Sequence, residues 1–344
     1  MPDESMVAEG LQRGITAEFE AQLMESGILY PILNRVKHDH TLSLEIRNNY
    51  IDIYYRGGRL LGLHPRAKAT KFLTQFDDEY FGDKEEYPSK RPATAPNDTI
   101  ECTADAEAWV DAFAHHKQAM DIRFSKHTKI EREYQQAVVR DNNRHVSGDQ
   151  SDYMVVDIEY AQSPHAFPDQ TADYRFDMVG FRWPVKGRGS NLVTPVIMEM
   201  KAGDGALASH PDSKTGKQTP GLSKHVLDIE RFLAPEPDGR VSERYRLMCT
   251  ELKRIYHTKH RIDLGAIPRR MERWDTVAID LTARPEVLFV IANHQPSSTV
   301  LRRQLETLPP RERADYYVAS VKYAGYALFR DNLKTVEETL ADLG

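Results

Sequence analysis

Three apolar runs follow one another at residues 153–160, 174–183 and 194–201, separated by turn-rich or basic segments. Runs this apolar and this short commit the chain to a sheet whose inner strands are covered on both faces. Helical periodicity brackets them. A helix is predicted over 129–142, and Leu222, Val226, Ile229 and Leu233 recur at helical spacing over 222–233, with a longer helix over 241–259. Residues 286–292 read as one more buried strand, 299–308 as a helix, and 316–329 as containing a last strand. Helix, three strands, helix, then strand, helix, strand predicts an α/β sandwich around a central mixed sheet.

The first hundred residues have a different character. An acid-rich arm with a weak helical pattern (Phe19, Leu23, Ile28) gives way at Thr41 to period-2 alternation, broken at Asn48-Asn49 and Gly57-Gly58. Asn and Gly tolerate the positive φ of tight hairpins, so a three-stranded meander is predicted here. A stretch with three prolines follows at 89–98, and a helix is expected over 104–119. The organisation expected is a β-rich recognition or regulatory domain at 1–100, which binds a partner or signal, and a second domain at 101–344.

Composition narrows the function. Of 344 residues, 40% are hydrophobic and 28% charged, the balance of a globular chain. The longest apolar run, Val287 to Ala292, is far short of the roughly 20 residues that span a bilayer, so no membrane role and a cytoplasmic location are expected. Cys102 and Cys249 lack CxxC spacing, which leaves neither a disulfide framework nor a thiolate zinc site. The net charge of -6 is unevenly spread: residues 240–273 carry ten Lys and Arg against four acids. That stretch, with Lys253 and Arg254 at its centre, reads either as a face that tracks phosphates or as a solvated helix face.

The chemistry concentrates at the end of the third run. In Val196-Ile197-Met198-Glu199-Met200-Lys201, strand geometry sets Glu199 and Lys201 on one face of an otherwise apolar strand. Charges are costly inside a sheet. The same acid-any-Lys spacing occurs at Asp212 to Lys214 in a loop and at Glu251 to Lys253 in a charged helix, but only Glu199 and Lys201 terminate an apolar strand. Asp177 interrupts the preceding run with no turn residue beside it. If the two strands pair as a hairpin, Asp177 meets Glu199, and two carboxylates beside a lysine suit Mg²⁺ or Mn²⁺, a phosphodiester-hydrolysis arrangement.

Asp177, a following strand and Glu199-Met200-Lys201 resemble the PD-(D/E)XK nuclease superfamily, the restriction-endonuclease-like proteins. The resemblance covers roughly residues 125–235 and departs at Phe176, where the family name has proline. It implies that Asp177 and Glu199 ligate the metal with the Met200 carbonyl, and that Lys201 orients or deprotonates the attacking water. On the helix before the first strand, Glu131 is implied to hold a metal-bound water or a second ion, with Glu133 and Gln135 as secondary candidates in the same Glu-x-x-aromatic-Gln motif. The function implied is a DNA endonuclease, by analogy of fold one of phage defence or restriction, and a homodimer suits double-strand cuts. Two further readings share these residues: an RNase with the same site, and a non-catalytic nucleic-acid-binding or assembly module that keeps the fold.

Other candidates are secondary. His225 borders the apolar stripe of the 222–233 helix, and Asp157 lies in a strand where it alternates with apolar residues, as the polar face of an outer strand would. Lys186 and Arg188, in the loop between the Asp177 and Glu199 strands, are placed to meet a DNA backbone. Phosphate loops and Gly-x-Ser-x-Gly elbows are missing from the sequence.

Overall fold

A computed structural model describes residues 13–81, 98–127, 130–143, 151–163, 174–184, 191–209, 221–264, 276–295, 298–321 and 325–344. It is a mixed α/β protein, and among the described residues no helix is long and apolar enough to cross a membrane. The chain divides into two compact units, Met1–Gln136 with Arg254–Gly265, and Ala137–Lys253 with Ala266–Gly344.

In the first unit, helix α1 (Ala17–Leu23) is capped by the Thr16 hydroxyl, which accepts from the Phe19 N–H, and α2 (Tyr30–His38) follows. Strands β1 (Leu42–Ile46), β2 (Ile51–Tyr55), β3 (Gly58–Arg66), β4 (Lys71–Gln75) and β5 (Thr99–Ile100) form an antiparallel sheet in sequence order. The meander read from the sequence is present as β1 to β3, and two further strands extend it. Its second turn needs positive φ at Arg56 and Gly57 (47° and 74°), and the Arg56 guanidinium is held by Asp121 at 2.8 Å and Glu133 at 2.9 Å. A division at residue 100 would cut this unit. Helix α3 (Thr103–Lys126) buries Trp109, Phe113, Met120 and Phe124, and Phe124 meets Tyr80 edge-on at 5.6 Å.

The second unit is built on one mixed sheet. Helix α4 (Ile130–Asn143), whose first residues belong to the first unit, leads into β6 (Tyr153–Gln162), β7 (Tyr174–Arg182) and β8 (Leu192–Ala202). Helices α5 (Leu222–Phe232) and α6 (Glu243–Arg261) come next, then β9 (Ala278–Ile279), β10 (Glu286–Ala292), α7 (Thr299–Glu306), β11 (Asp315–Val321), β12 (Lys334–Thr335) and α8 (Val336–Leu343). The strand order is β12-β11-β10-β8-β7-β6, with β9 beside β8. Strand β7 is antiparallel to both of its neighbours, β6 and β8, whereas β8, β10 and β11 run parallel. Every residue of β10 is buried, as its unbroken apolar run requires of a parallel strand with both faces covered.

Gly180 lets β6 and β7 close where β6 bulges between Val155 and Asp157: a Cβ at this position would lie 1.9 Å from the Met154 carbonyl oxygen. The atoms it would meet, the Met154 carbonyl and Val155 Cα, are all backbone of β6, so a methyl group cannot be absorbed by a rotamer change. Gly180→Ala is therefore expected to destabilise the protein by about 1–3 kcal/mol, read as a lower urea midpoint at unchanged slope.

Candidate active site

Strands β7 and β8 pair from Arg182–Thr194 down to Met178–Met198. One step further, the register sets Asp177 across from Glu199. There a side chain replaces the ladder, the Met200 N–H donating to Asp177 Oδ2 at 2.8 Å. Glu199 and Lys201, two residues apart on β8, share a face, and Lys201 Nζ donates to Glu199 Oε1 at 3.0 Å. Both are buried, at 2% and 5% exposure. His225 reaches the same oxygen from α5, its Nε2 standing 2.9 Å from Glu199 Oε1. The helix is oriented by Leu222, Val226 and Ile229, all buried, and His225 lies beside that stripe.

The two acids are pushed in opposite directions. Burial, and after it the adjoining Glu199 charge, lift the Asp177 carboxyl well above the ordinary carboxylate value, opposed only in part by Lys201 and the Met200 N–H. Burial would lift Glu199 too, but His225 and Lys201 outweigh it and hold this carboxyl below its ordinary value. The result is one carboxylate charged and its neighbour inclined to keep its proton. This is the state expected of two acids forced together without a cation between them.

The remaining candidates fall in several places. Asp157 is fully buried and pairs with Val179, so it shares a face with Asp177, one row away on the neighbouring strand. Met200 is fully buried beside Val290 of β10. Glu131, Glu133 and Gln135 belong to the first unit, where Glu133 is engaged by Arg56 and Gln135 is buried. Lys186 and Arg188 lie outside the described residues. Along α6, Arg246 and Lys253 are exposed, whereas Arg254 Nη2 reaches the Ile15 carbonyl at 3.5 Å, Lys259 pairs with Glu45 at 2.8 Å and Arg261 pairs with Glu20. Several cations of the basic stretch thus serve the packing of the first unit. Two side chains outside the sequence reading, Ser320 and His294, are hydrogen-bonded to each other on β11 and just past β10.

Among the described residues no three His, Cys, Asp or Glu side chains already stand as a ready cation cage. What the arrangement offers is an adjoining acid pair, a buried ammonium and an imidazole on one carboxylate oxygen, at the place where two strands separate. Such a set can bind a hard cation through oxygen and hold a proton donor beside it. No protein-family model, curated protein or solved structure matches the chain.

Proposed function

We propose that the chain is a Mg²⁺- or Mn²⁺-dependent nuclease of the PD-(D/E)XK type, restriction-endonuclease-like in its second unit, with DNA as the preferred substrate. The observation that carries this reading is the meeting of Asp177 and Glu199 where the β7–β8 pairing ends, with Lys201 on the Glu199 oxygen. The order of elements supports it: α4, then β6, β7 with the aspartate, β8 with Glu199-Met200-Lys201, α5, and β10 parallel to β8. The donor chemistry fits a hard divalent ion, because a cation would offset both the burial and the adjoining Glu199 charge that raise the Asp177 carboxyl.

Asp177, Glu199 and the Met200 carbonyl would hold that ion, which supplies Lewis acidity for a phosphoryl oxygen and for water when bound. Lys201 orients the attacking water and neutralises charge growing on the phosphate. His225 acts through Glu199, fixing which oxygen faces the nitrogens and which is left for the ion. Truncating such a partner costs about 10–100-fold in metal affinity or activity. His225→Ala is accordingly expected to weaken Mn²⁺ binding by that factor in calorimetry while leaving the fold unchanged by circular dichroism, with partial recovery in His225→Asn.

A second reading, a nucleic-acid-binding or assembly module that no longer hydrolyses, is favoured by the missing third side chain around the acid pair among the described residues. One experiment separates them: plasmid, linear duplex, single-stranded DNA and RNA are incubated with the full chain in Mg²⁺, Mn²⁺ or EDTA. Metal-dependent cutting of DNA supports the nuclease, and cutting confined to RNA replaces DNA with RNA as substrate. Retarded migration without cutting in any metal supports the binding module.

A further inference from the structure

Register across the three parallel strands aligns Lys201 of β8 with Ile291 of β10, and Ile291 with Ser320 of β11. Aligned residues of parallel strands share a face, so Ser320 lies on the face of Lys201 and Glu199, two strands away and about 10 Å distant at roughly 4.8 Å per strand. Glu199, Phe289 and Val318 form the next row on the same face. Helix α5 lies along this face, touching Glu199 through His225 and Tyr316 of β11 through Glu230 at 2.9 Å. Ser320 is the exposed residue in an otherwise buried β11 stretch.

Ser320 is not simply a solvated hydroxyl. Its Oγ stands 2.9 Å from His294 Nε2, and His294 Nδ1 stands 2.9 Å from the Gln295 carbonyl. A carbonyl only accepts, so Nδ1 carries the ring proton and holds the imidazole with Nε2 turned to Ser320. His294 is 9% exposed, which keeps the ring in that orientation while the serine faces solvent. A buried, carbonyl-fixed imidazole behind an exposed hydroxyl is more order than a surface serine needs. It also stands at the carboxyl ends of parallel strands, where α/β sheets bind ligands.

We propose that Ser320 is a second substrate contact of the candidate site: its hydroxyl, which donates to His294 Nε2 in the free protein, turns to donate to a phosphate oxygen of a nucleotide next to the scissile bond, and His294 is the positioning residue that holds the serine until the phosphate takes the hydrogen bond. The inference rests on the nuclease reading above. Hydroxyl side chains are common phosphate contacts, and such contacts set the register of the chain on the protein without reading sequence. The pair would fix which phosphodiester reaches Lys201, a task that the acid pair cannot perform because it contacts only the reacting group.

The test uses oligonucleotides that each carry one uncharged methylphosphonate linkage, stepped through the positions around the cut. These are cleaved by the parent chain, by Ser320→Ala and by Ser320→Thr. At one flanking position the modification is expected to lower kcat/KM of the parent and of Ser320→Thr by about tenfold to a hundredfold, the range for losing a hydrogen bond to a charged group. Ser320→Ala, already lacking the contact, should lose little there. Identical interference patterns in the parent and Ser320→Ala overturn the assignment while leaving the nuclease reading intact. A parent chain that cuts none of the unmodified oligonucleotides overturns the nuclease reading and the assignment with it.

Discussion

Lys201→Met is expected to abolish cleavage for practical purposes, lowering the rate by about 10²–10⁴-fold with Mn²⁺ binding and the fold retained. The lysine is buried at a strand end with its ammonium on Glu199 Oε1 at 3.0 Å. Methionine keeps most of the side-chain volume, so the loss reports on the charge and not on a cavity. Glu199 keeps His225 at 2.9 Å in the variant and so retains one of the two groups that hold it ionised. A variant that binds the metal but does not cut separates the positioning of water and phosphate from the holding of the ion. A change of less than threefold in rate would remove Lys201 from the chemistry and reduce its contact with Glu199 to a structural ion pair.

The second large effect runs against intuition: Asp177→Asn is expected to make the metal-free protein more stable. A carboxyl whose pKa is raised on folding binds its proton more tightly in the native state than in the unfolded chain. Stability is therefore lost as pH rises from the ordinary aspartate value of 3.8 towards the raised native value. At neutral pH, above the ordinary aspartate value, the parent carries that cost. Asparagine matches the protonated acid in shape, still accepts from the Met200 N–H and has nothing to titrate. The variant should gain about 1 kcal/mol, a Tm rise of roughly 2–4 °C for a unit of this size, and its advantage should shrink below pH 4. Excess Mn²⁺ should stabilise the parent and leave the variant unmoved, since an amide cannot replace the lost charge. An Asp177→Asn protein less stable than the parent at pH 7.5 without metal would contradict the account of the acid pair.

Much of the second unit was legible because its signals are strong. The run from Val287 to Ala292 admits little but a buried strand, and β10 occupies Glu286–Ala292 as expected. Asp177 and Glu199 stood out as charges in apolar strands, which is an energetic anomaly visible without coordinates. The first unit was less legible. The turn into β4 is made by Ala67, Lys68 and Ala69, all at positive φ (49°, 56° and 62°). Non-glycine residues seldom adopt that region, and none of the three announces a turn, so the hairpin had no sequence signal. The extent of the unit was hidden for another reason: α3 follows a proline-rich stretch that looks like a linker, and the contacts that tie it to what precedes, Arg56 with Asp121, Lys117 with Asp39 and Tyr80 with Phe124, are tertiary pairings that a single sequence does not display. Ser320 and His294 escaped notice because their pairing depends on strand register, which a single sequence leaves open.

The most direct test of the central claim is a calorimetric titration of the metal-free full chain with Mn²⁺, run in parallel on Asp177→Asn. The account predicts saturable binding by the parent that releases protons as Asp177 ionises, and no binding by the variant. Equal binding by both proteins, or none by the parent, would contradict it, because the acid pair would then not be a cation site.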